Sequence, residues 1–282
     1  LQFLFITCIF IIIFNIGEMK MKTICRLLLL YFLESSLLQA QWLKTNGPYD
    51  GDIWCLAVSS NGTGGTNLFA GTNEGVFLST DNSTSWTAAS IGLTNTPVQA
   101  LAVLDTNLFA GNHDGVFRST DNGTSWTWLS YGWSNTSVRA FAISPNGKGG
   151  NNLFAGTGGG GVFRSPDNGA NWLEAGLSHI NVRSLAVSFN GAGDTNLFAG
   201  TNGSGVFRSI DNGKNWISAS AGLTYAGVQS LAVSYNGTGG TNLIAGTWGG
   251  IFFSTNNGTS WTEASTGLTF TYVYCLAVST NG

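Results

Sequence analysis

The chain has 282 residues, of which 40 are glycine, 12% are aromatic and only 9% are charged, with a net charge of −3. That much apolar surface outweighs the ordering entropy that keeps polar, highly charged chains unfolded, so disorder is excluded. An acidic chain this poor in Lys and Arg has no overall basic field, which excludes nucleic acid as a partner.

The N-terminus reads differently from the rest. Residues 1–14 are almost wholly apolar, yet the first residue is Leu1 and not Met. Met19-Lys20-Met21-Lys22 followed by Ile24 to Leu33 has the layout of a secretory signal, a basic region and then a short apolar one, with Leu38-Gln39-Ala40 as the cleavage site. The expected division is upstream translation over 1–18, a signal peptide over 19–40 and a mature chain over 41–282. A membrane span over 3–16 is the rival, but crossing a bilayer takes about 20 apolar residues. Cleavage removes Lys20, Lys22, Arg26, Glu18 and Glu34, leaving eight basic and twelve acidic residues. The expected location is therefore outside the cell or at its surface, with no stable membrane span in the mature chain.

From residue 42 onward one unit repeats. STDNSTSW (79–86), STDNGTSW (119–126), SPDNGANW (165–172), SIDNGKNW (209–216) and STNNGTSW (254–261) place a tryptophan at 86, 126, 172, 216 and 261. Spacings of 40, 46, 44 and 45 residues between those tryptophans, filled with short Val/Phe/Leu runs and Gly/Asn/Thr clusters, indicate four strands per repeat. Strand A is VQALAV (98–103), VRAFAI (138–143), VRSLAV (182–187) or VQSLAV (228–233). Strand B is NLFAGT, strand C is GVFRS, and strand D begins at the motif tryptophan. The expected fold class is all-β, a β-propeller of four-stranded blades. Trp42 has the spacing of a strand D with no A, B or C before it, and CLAVSTNG ends the chain after a sixth strand A. The expectation is an incomplete fragment: five complete repeats, an orphan strand at each end, and at least six blades in the whole protein, with seven open. Cys55 and Cys275 take matching places in IWCLAV and VYCLAV. A small-residue packing slot accounts for both, and their pairing is left open.

The repeated motif lies between strands C and D and so reads as a hairpin turn. Its Asp can accept backbone hydrogen bonds, its Gly can adopt positive φ, and its Trp can bury a face on the neighbouring layer while offering its N–H to a carbonyl. The residues assigned to this structural role are Asp81, Trp86, Asp121, Gly123, Trp126, Asp167, Gly169, Trp172, Asp211, Gly213, Trp216, Asn256, Gly258 and Trp261. Ser83 replaces the Gly in the first copy, at an expected cost in strain, and Asn256 replaces the Asp in the fifth. Five copies of one catalytic centre on separate blades make little chemical sense, so the motif is read as scaffold. The S-x-D-x-G-x-x-W pattern resembles the Asp-box (BNR) repeat of sialidases, xyloglucan-type glycoside hydrolases, sortilin-like receptors and the photosystem II assembly-factor family. The resemblance covers 42–282 and implies the propeller fold. Those families share the turn and not an activity.

Function is expected where the repeats differ. The B–C loops read TNEG (72–75), NHDG (112–115), TGGGG (157–161), TNGSG (201–205) and TWGG (247–250). The D–A loops at the same end add Tyr49, Asp50, Asp52, Trp133, His179, Tyr225, Phe270 and Tyr272. Glu74, His113, Asp114 and Trp248 form the candidate ligand face, suited to stacking on a sugar and hydrogen-bonding it; the bland reading is an ordinary polar rim. FRSP at 163–166 looks like a sialidase signature, but FRS recurs in other copies, so Arg118, Arg164 and Arg208 belong to the strand consensus. Gly156, Gly158 and Gly161 fit a nucleotide fingerprint only without the helix it needs. No catalytic residue, metal ligand or cofactor is assigned, since His113 has no second ligand at metal spacing. The leading expectation is an exported non-catalytic binding module for a glycan or a protein. The alternatives are a sialidase- or xyloglucanase-like glycoside hydrolase, with Glu74, Asp114 and Asp52 as its carboxylates, or an assembly-factor-like chaperone.

Overall fold

The computed structural model describes residues 45–48, 52–62, 64–94, 97–130, 133, 137–189, 195–236 and 241–278. The readings made for 1–18, the signal peptide at 19–40 and Trp42 lie outside the described residues, as do Tyr49 and Asp50. No helix among the described residues is long and apolar enough to cross a membrane.

The fold is all-β. Among the described residues, twenty strands make five antiparallel four-stranded sheets, the blades of a β-propeller. Blade 1 contains β1 (Ile53–Ser60), β2 (Thr66–Thr72), β3 (Gly75–Ser79) and β4 (Thr87–Ala88). Blade 2 follows with β5 (Ala100–Leu104), β6 (Asn107–Asn112), β7 (Gly115–Ser119) and β8 (Thr127–Trp128). Blade 3 has β9 (Val138–Pro145), β10 (Asn151–Thr157), β11 (Val162–Ser165) and β12 (Leu173–Glu174). Blade 4 has β13 (Val182–Phe189), β14 (Thr195–Thr201), β15 (Val206–Ser209) and β16 (Ile217–Ser218). Blade 5 has β17 (Val228–Tyr235), β18 (Thr241–Thr247), β19 (Gly250–Ser254) and β20 (Thr262–Glu263). Every sheet keeps chain order, so each connection is a hairpin within a blade or a loop to the next.

The core is divided among the blade boundaries. Phe69, Val76 and Ala89 of blade 1 pack with Val98, Leu108, Phe117 and Trp126 at the second blade. Phe109 and Val116 meet Val138 and Leu153, Phe154 and Ala175 meet Val182 and Leu197, and Phe198 and Ala219 meet Val228, Leu243 and Trp261. The Phe of each NLFAG strand in blades 1–4 is fully buried, which stabilises each boundary by about 1.5–3 kcal/mol per ring. Glycine stands two residues after it for a steric reason: a Cβ at Gly156 would sit 2.7 Å from Val182 Cγ1 of the next inner strand.

The repeated turn is a hydrogen-bonded loop closed mainly from its C-terminal side. Ser119 Oγ donates to Asp121 Oδ1 at 2.7 Å and accepts the Gly123 N–H at 2.8 Å. The Ser125 N–H and hydroxyl both donate to the Asp121 carboxylate, at 2.9 and 2.6 Å. These donors hold the Asp81 and Asp121 carboxyls down at about 2, the Ser85 and Ser125 side chains first among the causes. Asn256 makes the same set, accepting from Ser254 Oγ and Ser260 N at 2.9 Å and donating to Ser260 Oγ at 2.8 Å. Asn122 and Gly123 both have positive φ, 55° and 82°. A Cβ at Gly123 would lie 3.3 Å from Ala89 Cβ and 3.5 Å from Phe69. Ser83, at φ 65°, lies in the β3–β4 turn of the first described blade, where no preceding Phe-bearing strand among the described residues presses on it.

The turn also joins blades. Trp126 Nε1 donates to Ala89 O at 2.8 Å, Trp216 Nε1 to Ala175 O and Trp261 Nε1 to Ala219 O at 2.7 Å. Trp86 and Trp172 have buried Nε1 atoms without a partner among the described residues. At the Trp172 boundary Leu129 stands where the other blades have Ala, its Cδ1 2.9 Å from where a Cβ at Gly169 would be. The tryptophan backbone is used across the boundary too, Trp126 N donating to Ile91 O at 2.9 Å. That is why strand D starts one residue after the tryptophan and not at it as expected.

Cys55 and Cys275 are free thiols, and burial pushes the Cys55 thiol up to about 12. Beyond blade 5, Val273 N donates to Thr247 O at 2.9 Å, as Val98 N does to Thr72 O at 3.0 Å, but 271–278 form no ladder.

Candidate ligand-binding face

The B–C turns are built on a buried anchor. In blade 1, Thr72 Oγ1 donates to Gly75 O at 3.1 Å and accepts the Glu74 N–H at 3.0 Å; in blade 5, Thr247 does the same for Gly250 O and Gly249 N at 2.9 and 3.0 Å. Blade 2 has Asn112 instead, whose Oδ1 accepts the Asp114 N–H at 2.8 Å. A serine from the following loop pins the far side, Ser90 Oγ accepting from Val76 N at 2.9 Å and Ser130 Oγ from Val116 N at 3.1 Å. The turn backbone is thereby fixed, and whatever residue stands at its tip is displayed.

The tips carry the candidate residues. Glu74 and His113 are exposed, in blades 1 and 2. Asp114 is half-buried, its carboxylate accepting from Thr94 Oγ1 at 2.7 Å and its carbonyl from Trp128 Nε1 at 3.0 Å. In blade 5, Trp248 is 44% exposed and its ring passes over Gly227, 3.3 Å from where a Cβ would stand. Tyr225, 51% exposed, lies across Gly249 so closely that any side chain there would collide. The two aromatics thus rest on each other's glycine neighbours, and the fold brings Trp248 together with Tyr225. Glu74 and the His113–Asp114 pair occupy equivalent tips on two other blades.

The other loop residues divide. Asp52 Oδ2 accepts from Asn73 Nδ2 at 3.4 Å, and Asn73 Oδ1 accepts Trp54 Nε1 at 2.7 Å. Phe270 and Tyr272 are exposed, and His179 is exposed at φ 66°. Trp133 belongs to the core instead: it stacks on Phe163 at 4.0 Å and meets Trp172 edge-on at 5.2 Å, in the place that Leu93 and Leu223 take in other blades.

A second set of side chains at this end belongs to no recognisable motif. Val138 pairs with Thr157 and Ala140 with Gly156, so Arg139 is the extra residue of a β-bulge. The same shift makes Trp54, Arg183 and Gln229 the extra residues of β1, β13 and β17. Gln99 takes this place in blade 2, its N–H donating to Gly111 O at 2.8 Å. Bulges re-aim a side chain, and here they do so in blades 1, 3, 4 and 5, at the start of the inner strand. Their signal in the sequence was the second letter of the strand-A string, which reads Gln, Arg, Arg and Gln in VQALAV, VRAFAI, VRSLAV and VQSLAV. Among the described residues no cluster of three His, Cys, Asp or Glu could hold a metal ion.

No protein-family model matches the sequence, and no curated protein does. Solved structures do match. The extracellular domain of a putative one-component system from B. thetaiotaomicron is similar with a TM-score of 0.63 at 20% identity, covering 83% of this chain and 31% of that one. An ancestral GH74 enzyme is similar with a TM-score of 0.61 at 21% identity, over 83% and 34% of the two chains. The GH74 xyloglucanase from Xanthomonas campestris gives 0.53 at 16% identity, over 75% and 38%. This chain therefore spans about a third of the length of the first structures it resembles, and at such identities the likeness shows the propeller fold alone.

Proposed function

We propose that the chain is an exported, non-catalytic propeller that binds a glycan through the blade end carrying Glu74, His113, Asp114 and Trp248. The observation that supports this most is the Trp248–Tyr225 pair. Two half-exposed aromatic rings, each held over glycine backbone, offer an apolar platform beside hydrogen-bonding loop residues, the composition that grips a sugar ring. Export is part of the proposal, resting on the signal-like segment at 19–40 and on the extracellular domain among the similar structures.

A glycan array followed by titration of the best oligosaccharide, xyloglucan fragments included, tests it. Trp248→Ala and Tyr225→Ala are each expected to weaken binding by about 1–3 kcal/mol, the loss of an aromatic anchor. Binding indifferent to both would remove this face from the account. Release of reducing sugar that is abolished by Glu74→Gln or Asp114→Asn would make the protein a glycoside hydrolase. Binding of a protein and of no glycan would favour the assembly-factor-like reading.

A further inference from the structure

We propose that Arg139 and Arg183, the bulge residues of two adjacent inner strands, form an oxyanion subsite that takes the charged group of an acidic saccharide. This rests on the glycan-binding reading and names the class of glycan.

Both arginines are partly buried, and the Nε atoms of both are fully buried without a hydrogen-bond partner among the described residues. Neither makes an ion pair with a described carboxylate. Instead they lie close in the fold: Gly158, which Arg139 covers, is bridged to Asn181, two residues before Arg183, and burial first, then the Arg183 charge, hold the Arg139 guanidinium below its ordinary range. Two like charges close together in a partly desolvated place are unfavourable unless an anion joins them. The guanidinium fork suits a carboxylate or sulfate bidentately.

The surroundings fit such a ligand. Arg139 lies over Gly158, its Nε 2.9 Å from where a Cβ would be. The B–C turns of these two blades, TGGGG and TNGSG, carry no bulky or acidic side chain, and around Gly203 there is nothing within 4 Å. On the next inner strand Gln229 Nε2 is a buried donor also without a described partner, and Asn181 Oδ1, an acceptor in the same state, suits a saccharide hydroxyl. The acidic tips, Glu74 and Asp114, are on blades 1 and 2. The Trp248–Tyr225 platform stands at the boundary of blades 4 and 5. An anionic group at the arginines and a sugar ring on the aromatics would occupy neighbouring blades.

The test uses Arg139→Gln/Arg183→Gln, because glutamine is the residue that blades 2 and 5 already hold at this position, as Gln99 and Gln229. Lys148→Gln/Lys214→Gln is the charge-matched control, in a cleft of about 310 Å³ at the opposite end of blades 3 and 4. The probes are an oligogalacturonate, a sulfated chondroitin hexasaccharide, a neutral cello-oligosaccharide and sodium sulfate. An acidic saccharide is expected to bind the wild type, about tenfold or more weakly to the arginine double variant, and unchanged to the lysine control. Sulfate should compete, and should raise the melting temperature of the wild type and not of the arginine variant. Neutral binding that depends on Trp248 while the arginine variant loses nothing would overturn the subsite and leave the face standing. Equal losses in both double variants, or sulfate bound with no acidic saccharide, would overturn it as well. No binding of any saccharide would overturn both readings.

Discussion

The indole Nε1 of Trp126 donates to the carbonyl oxygen of Ala89 at 2.8 Å across the boundary between blades 1 and 2. The repeated motif is therefore a link between blades as well as a turn within one. Its carboxylate is fully occupied with local donors, and a carboxyl held down at about 2 is a poor proton donor at neutral pH. Both facts favour a structural role for the repeated residues.

That link makes the five tryptophans unequal. Trp126→Phe removes a buried donor and leaves the Ala89 carbonyl without it, for an expected loss of about 1–2 kcal/mol, and Trp126→Ala about 3–5 kcal/mol. Trp172→Phe should cost far less, because the Trp172 Nε1 has no partner to lose. Urea denaturation of the three variants checks the order. Equal losses at 126 and 172 would show that the indole N–H contributes nothing.

Gly92 and Gly267 hold the same place in blades 1 and 5, both at φ 91°. A Cβ at Gly92 would stand 2.5 Å from Trp126 O, whereas at Gly267 nothing lies within 4 Å. Gly267→Ala should therefore cost only backbone strain, about 1 kcal/mol, and Gly92→Ala clearly more. Thermal melts of the two variants measure the difference.

Acid should loosen the turns within a defined window. Asp81 and Asp121 have folded-state pKa values depressed from 3.8 to about 2. Their contribution is present above the unfolded value and is lost as pH falls from about 4 through about 2. Asp81→Asn/Asp121→Asn should flatten the dependence of melting temperature on pH there. Asn256 shows that an amide keeps the turn, so Asp121→Asn should melt closer to wild type than Asp121→Ala. An unchanged acid limb in the double variant would mean that these carboxylates do not govern it.

The two cysteines should differ in reactivity. Cys55 is packed between Gly71 and the Val98 carbonyl with its thiol pushed up to about 12, whereas Cys275 is exposed. Mild alkylation at pH 8 is expected to label Cys275 alone, read by peptide mass. Rapid labelling of Cys55 would contradict its burial.

The fold was legible because a propeller blade repeats its signals. Four copies restate the Phe of strand B, with Ile244 in the fifth, and all five restate the paired left-handed residues of the turn and the tryptophan, so a single substitution such as Ser83 or Asn256 does not obscure the pattern. The blade-end tips were legible for the opposite reason, since Trp248 and His113 break a constant frame. The arginine pair was not. Arg139 and Arg183 sit inside a strand string, and the bulge that sets each apart is a register shift between paired strands, which a single strand's letters do not carry. Trp133 misled in the other direction: an aromatic in a variable loop, it replaces a core leucine and packs on Trp172.

The central claim is that the repeated turns hold the blades while the variable end binds. The affinity of Asp121→Ala for the best-binding oligosaccharide, set beside that of Trp248→Ala, tests it most directly. The account predicts that Asp121→Ala melts earlier yet binds as wild type below its transition, whereas Trp248→Ala melts as wild type and binds about tenfold or more weakly. Asp121→Ala that keeps the wild-type melting temperature and loses binding would contradict it.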